Sequence, residues 1–125
     1  MKREFEYLAD QDIVLLKTSG PYKFDTEIET VIKAVAKLKE HNCIRLLVDH
    51  RQADVSSDFL DIHGRPKVYN GLEVDRLISA AYVFAELNDD IRFYEDVCRN
   101  RGWNVRVFDD YKTAVDWLLK QYRSP

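Results

Sequence analysis

Asp49, His50 and Arg51 follow one another directly after an apolar run, Ile44 to Val48. A carboxylate at a strand end followed by a guanidinium can hold a polar ligand or the carboxylate of a partner. The plainer arrangement is local: Asp49 accepts backbone N–H bonds from its own loop, and Arg51 pairs with a nearby acid such as Asp54. The plainer one is expected. His50, between Asp49 and Asp54, could contribute to a weak metal site, but a solvated loop histidine is the expectation. Ser56 and Ser57 come next. Their hydroxyls suit a helix N-cap and, as a second possibility, a phosphorylation switch. These five residues, Asp49, His50, Arg51, Ser56 and Ser57, are the candidates for ligand or partner binding.

Catalytic machinery is harder to assemble. His41, His50 and His63 do not stand at zinc-ligand spacings with one another or with Cys43 and Cys98. Neither a metal nor a cofactor is expected. Nucleophilic catalysis needs a base beside a serine or cysteine, and Cys98 falls on a helix stripe that should face the sheet, away from any histidine. Two cysteines far apart make no disulfide framework, so both are expected as buried or partly buried free thiols. The acidic pairs Asp89-Asp90 and Asp109-Asp110 stand where helices begin and complement the helix dipole. With Asp25 they would repel a phosphate from those helix starts, and no Gly-rich loop of the nucleotide-binding kinds is present.

The elements that must position these residues follow from hydrophobic period. Phe5 and Tyr7 alternate with Glu4 and Glu6, a strand with one wet face. Ile13 to Leu16 reads as a strand buried on both faces, paired with the first through the turn Ala9 to Asp12, and Ser19 to Tyr22 is expected to leave the sheet. Thr26 and Glu29 have capping-box spacing. After them Ile28, Val31, Ile32, Val35 and Leu38 mark an amphipathic helix ending near His41-Asn42. Ile44 to Val48 is the third strand, and His50 to Asp54 a loop. A helix carrying Phe59, Leu60 and Ile62 is interrupted at Gly64 and Pro66. Leu77 to Phe84 is the fourth strand. Asn88-Asp89-Asp90 opens a helix with Ile91, Tyr94, Val97 and Cys98 inward, closed at Gly102. Val105 to Phe108 is the fifth strand, and Asp109-Asp110 starts a last helix with Tyr111, Ala114, Val115, Leu118 and Tyr122 on one stripe. The order β-β-α-β-α-β-α-β-α predicts an α/β fold with a mixed, mostly parallel five-stranded sheet whose first strand is antiparallel.

Length and composition bound the rest. The chain has 125 residues, 46% hydrophobic and 33% charged, with a net charge of −3. That length suits one domain, 1–125, able to bury about two-thirds of its unfolded surface without a metal or disulfide. A weakly acidic balance argues against general nucleic-acid binding. No apolar h-region or bilayer-length apolar run is seen, so neither a signal peptide nor integral membrane association is expected, and the cytoplasm is the default compartment.

Three strings resemble a known family. Leu46-Leu47-Val48-Asp49-His50-Arg51 looks like a strand ending in Asp-x-Arg. Asn100-Arg101-Gly102-Trp103-Asn104-Val105-Arg106-Val107-Phe108 and Ala114-Val115-Asp116-Trp117-Leu118 look like a C-terminal pattern of helix, strand and Ala-x-x-Trp-Leu helix. Together they resemble the bacterial SpoIIAA-like group, the STAS/SEC14-type domains. The resemblance implies a sheet built from successive βα units and a role in interaction or regulation, not catalysis, with a protein partner or a second copy of the chain. The anti-sigma-factor antagonists of that group carry a phosphorylated serine in an Asp-Ser string. Here Val55-Ser56-Ser57-Asp58-Phe59 stands in its place, and no Gly follows. The SEC14-type relationship implies a second role, carrier or sensor of a small lipid or apolar ligand. An enzyme with a site near Asp49 to Arg51 is the third reading.

Overall fold

A computed structural model describes residues 2–22, 24–55 and 77–121. The helix expected at Phe59, Leu60 and Ile62 with its interruption at Gly64 and Pro66, the candidates Ser56 and Ser57, and Tyr122 lie outside these residues.

The first strands are β1 (Lys2–Leu8) and β2 (Ile13–Tyr22), antiparallel from Leu8↔Ile13 to Lys2↔Ser19. Gln11 N–H closes the turn on Leu8 O at 3.1 Å, and Asp12 takes the left-handed conformation at φ 54. Asp tolerates that region better than most residues because its short polar side chain bonds locally. Helix α1 (Phe24–Glu40) buries Thr30, Ala34 and Leu38, with Val31 and Val35 at the margins. Ile32, expected on the inner stripe, is 51% exposed, because the buried face centres one residue earlier. Helix α1 begins at Phe24, two residues before the N-cap expected at Thr26, and the Glu29 carboxylate takes Arg3 Nη2 at 3.0 Å and Lys33 Nζ at 3.2 Å.

Strand β3 (Arg45–Val55) continues well past Val48. The expected loop from His50 to Asp54 is strand, paired in parallel with Ser19 to Tyr22, which likewise stays in the sheet. Backbone pairing with β2 holds this polar stretch, which has no apolar alternation to announce it. Strand β4 (Ser79–Val83) is buried throughout. Helix α2 (Asp89–Asn100) starts on Asn88, whose side-chain oxygen accepts Ile91 N–H at 2.8 Å. Strand β5 (Asn104–Phe108) and helix α3 (Tyr111–Leu119) complete the described chain, α3 starting where Asp110 accepts Thr113 N–H at 2.9 Å.

Two helix ends share one device. After α1, Asn42 (φ 50) sends its N–H to Lys39 O, and Cys43 N–H reaches Leu38 O at 2.8 Å. After α2, Gly102 (φ 88) sends its N–H to Arg99 O, and Trp103 N–H reaches Cys98 O at 3.0 Å. This paired closure satisfies carbonyls that a helix end otherwise leaves open, and it turns the chain straight into the next strand.

The sheet order is β1-β2-β3-β4-β5, with β1 antiparallel to β2 and the other pairs parallel. Right-handed crossovers that all step the same way put their helices on one face. Accordingly α1 and α2 share the core of Val14, Leu16, Val48, Tyr82, Tyr94 and Trp103. Helix α3 covers the opposite face, over Ile13, Leu15, Leu47, Ala81 and Val83. Strands sandwiched this way show unbroken apolar runs, as Ile13 to Leu16 does. Cys43 and Cys98 are buried free thiols, as expected.

Candidate functional site

The site forms where β2 and β3 run past the end of β4. Pairing between β3 and β4 ends at Asp49↔Val83. On the other side, β2 and β3 pair as Leu16↔Val48 and Lys17↔Asp49, then resume at Ser19↔Gln52. Two residues of β3, His50 and Arg51, therefore oppose one residue of β2, Thr18. This is a β-bulge, and it resets the alternation of faces. His50 lies with Tyr82 and Phe84, at ring-centroid distances of 5.8 and 5.5 Å, on the face covered by α1 and α2. Ala53 packs against that same core, although residues three apart in an unbroken strand point to opposite faces.

Asp49 and Arg51 lie on the α3 side. Asp49 is 7% exposed. Its Oδ1 accepts Arg51 N–H at 3.1 Å and Arg51 Nε–H at 2.9 Å, and its Oδ2 accepts Arg51 Nη2–H at 2.8 Å. Burial opposes ionisation of this carboxyl. The bonds from Arg51, with the Arg51 and Lys17 charges, outweigh that opposition and hold it below the usual carboxylate range. The Arg51 guanidinium then lies 5.0 Å from the centroid of the Tyr111 ring at the start of α3, within cation–π reach. Its side chain remains 42% exposed. The result is a cation fixed on both sides, by a two-pronged carboxylate and an aromatic face, yet open to solvent.

His50 is 1% exposed. Its Nδ1 lies 2.6 Å from Thr18 Oγ1, which also lies 3.3 Å from Asp49 O. A threonine hydroxyl has one proton; directed to the Asp49 carbonyl, it leaves Oγ1 to accept from Nδ1–H. Burial drives the imidazole pKa from 6.5 down to about 3, against the pull of the Asp49 charge.

Of the sequence candidates, the structure brings Asp49 and Arg51 together and sets His50 on the far side of the sheet from them. Asp49 accepts an N–H from its own segment, as the local reading expects. Arg51 pairs with a nearby acid, as the local reading expects, but that acid is Asp49, two residues before it on the same face, and not the example Asp54. The expected solvated, looped His50 is a buried strand residue, because Thr18 and the rings of Tyr82 and Phe84 enclose it. Thr18 and Tyr111 were not among the candidates. Thr18 had a readable signal: it stands two residues beyond Leu16, so period two turns it inward, where a hydroxyl needs a partner.

A second feature is an open, apolar cleft of about 60 Å³ on the α1 face, lined by Val31, Leu38, Leu46, Ile78, Tyr82 and Trp103 among others.

The parallel sheet with its antiparallel first strand and, among the described residues, two helices on one face and a last helix on the other is a SpoIIAA-like fold. The anti-sigma factor antagonist SpoIIAA in its unphosphorylated form aligns with a TM-score of 0.54 at 10% identity, over 95% of this chain and 99% of that one. An uncharacterised protein of the DUF3478 family with a SpoIIAA-like fold, from Shewanella loihica PV-4, aligns with a TM-score of 0.56 at 16% identity, over 94% and 92%. At these identities the likeness is one of fold. No protein-family model and no curated protein matches the sequence.

Proposed function

We propose that this chain is a non-enzymatic interaction or regulatory domain whose protein partner contacts the Arg51–Tyr111 surface. The observation that carries the reading is the fixed, half-exposed guanidinium. Two of its five N–H groups are used on Asp49, and the others suit a carboxylate or carbonyl of a partner. Because Asp49 and Tyr111 already order it, binding costs little side-chain entropy. His50 supports binding over catalysis. General acid–base work at neutral pH needs a group with a pKa near neutrality that can reach its substrate, and this imidazole is sealed in and held near 3. SpoIIAA, a fold neighbour, is by name an antagonist of another regulatory protein. On this reading the domain works in the cytoplasm; no described helix is long and apolar enough to cross a membrane.

The test is capture from cell lysate by the wild-type chain and by Arg51→Ala, after circular dichroism shows both folded. A discrete partner held by the wild type and lost by Arg51→Ala is the expected result. Equal capture by both would remove the clamp from the reading.

Carriage of a small apolar ligand is a second reading, favoured by the cleft beside Tyr82 and Trp103. Native mass spectrometry of protein purified from cells, with Ala34→Trp to fill the cleft, checks it: a bound mass present in the first sample and absent from the second supports carriage, and an empty wild type refutes it.

A further inference from the structure

The two edges of the sheet are treated differently. On β5, Phe108 O accepts Phe84 N–H at 2.9 Å and so faces β4; by alternation Val105 and Val107 turn their backbone groups outward. Both are met by helix α2. Glu95 Oε2 accepts Val107 N–H at 2.7 Å, and Arg99 Nη1 donates to Val105 O at 3.2 Å. Side chains thus block this edge against a further strand. On β1 no such cap exists among the described residues. Leu8 O turns inward to Gln11 N–H, which by alternation directs the N–H and C=O groups of Phe5 and Tyr7 away from β2.

The open edge also has a chemical character. On the α1 side it offers the partly buried rings of Phe5 and Tyr7; on the other it offers the exposed carboxylates of Glu4 and Glu6, with Lys2 at the start of the strand and Lys17 across from Glu4 on β2. We infer that β1 is a strand-addition edge for an extended protein segment that alternates cationic with apolar residues, its cations beside Glu4 and Glu6 and its apolar side chains beside Phe5 and Tyr7. Main-chain bonds supply the affinity of such pairing and alternate side chains the selectivity. A second copy of this chain fits poorly. Every antiparallel pairing of two β1 strands that uses most of their length sets one glutamate directly opposite another, which is unfavourable. The proposal does not rest on the Asp49–Arg51 clamp, although Glu6 lies near enough to Tyr111 to interact with it electrostatically.

The probe is an acetylated peptide of alternating lysine and valine, compared with one of alternating glutamate and valine, against the whole chain. NMR titration with amide exchange is the readout. The lysine peptide binds about ten-fold more tightly than the glutamate peptide, the sum of two cross-strand charge pairs. It slows exchange at the Phe5 and Tyr7 amides and leaves Val107 unchanged. The double variant Glu4→Lys, Glu6→Lys, checked for folding by circular dichroism, reverses the preference. Arg51→Ala leaves peptide affinity intact, which separates this proposal from the clamp. Absence of binding, equal affinity for the two peptides, protection away from β1, or loss of binding in Arg51→Ala would each overturn it.

Discussion

His50 is the residue at which folding and proton binding are most tightly joined. In the folded chain it stays neutral down to about pH 3; in the unfolded chain it takes a proton near its ordinary 6.5. Between those values the unfolded state binds more protons, so stability is full above 6.5 and falls as pH drops, by at most about 1.4 kcal/mol per pH unit. Asp49, with its carboxyl held low, adds a loss of the same sign at still lower pH. Urea midpoints measured from neutral to mildly acidic pH should fall for the wild type and fall less for His50→Leu; parallel curves would assign the lost protons elsewhere. Asp49→Ala should cost about 1–3 kcal/mol, because it strands the Arg51 N–H and frees the guanidinium. Asp49 and Arg51 were legible as a pair from type and spacing. His50 was not, since its chain neighbours are charged and its enclosure comes from Thr18, Tyr82 and Phe84, residues of other strands.

At the scale of elements, the caps make separable predictions. Asn88→Ala removes the acceptor for Ile91 N–H and should destabilise the chain by about 1 kcal/mol in chemical denaturation. Glu95→Ala with Arg99→Ala uncaps β5, and concentration-dependent self-association by light scattering is the expected outcome. A double variant that stays monomeric at every concentration would show that the edge needs no such protection. Buried strands and the starts of α2 and α3 were readable because they depend on local period and on capping chemistry: Ile13 to Leu16, Asn88 and Gly102 all stand as expected. The far half of β3 was not readable. Its residues His50 to Asp54 are polar apart from Ala53, and what makes them a strand is backbone pairing to β2 across the bulge, which leaves no trace in composition. The inner stripe of α1 was read one residue off for a related reason, since Thr30 is polar by type yet buried, with Arg3 donating to its hydroxyl at 3.0 Å.

At the scale of the molecule, Arg45 ties distant parts together at the end of the sheet away from the clamp. Its Nε donates to Gln121 O at 2.8 Å, just after α3, and its Nη1 to Gln11 O at 2.9 Å in the β1–β2 turn. Arg45→Ala should lower stability by about 2–4 kcal/mol, read as a shifted denaturation midpoint with an unchanged slope. The fold class was the most legible of all, because strand and helix periods alternate along the chain and handedness leaves few ways to assemble them.

Among the described strands, spatial and chain order coincide: each lies beside the one that precedes it. None of these described strands waits for a later one to separate it from its neighbour, so each new βα unit finds a finished template as it is synthesised. Such near-neighbour wiring favours quick assembly from the amino end during translation, and it keeps each unpaired strand exposed to the crowded cell for only as long as the next one takes to emerge.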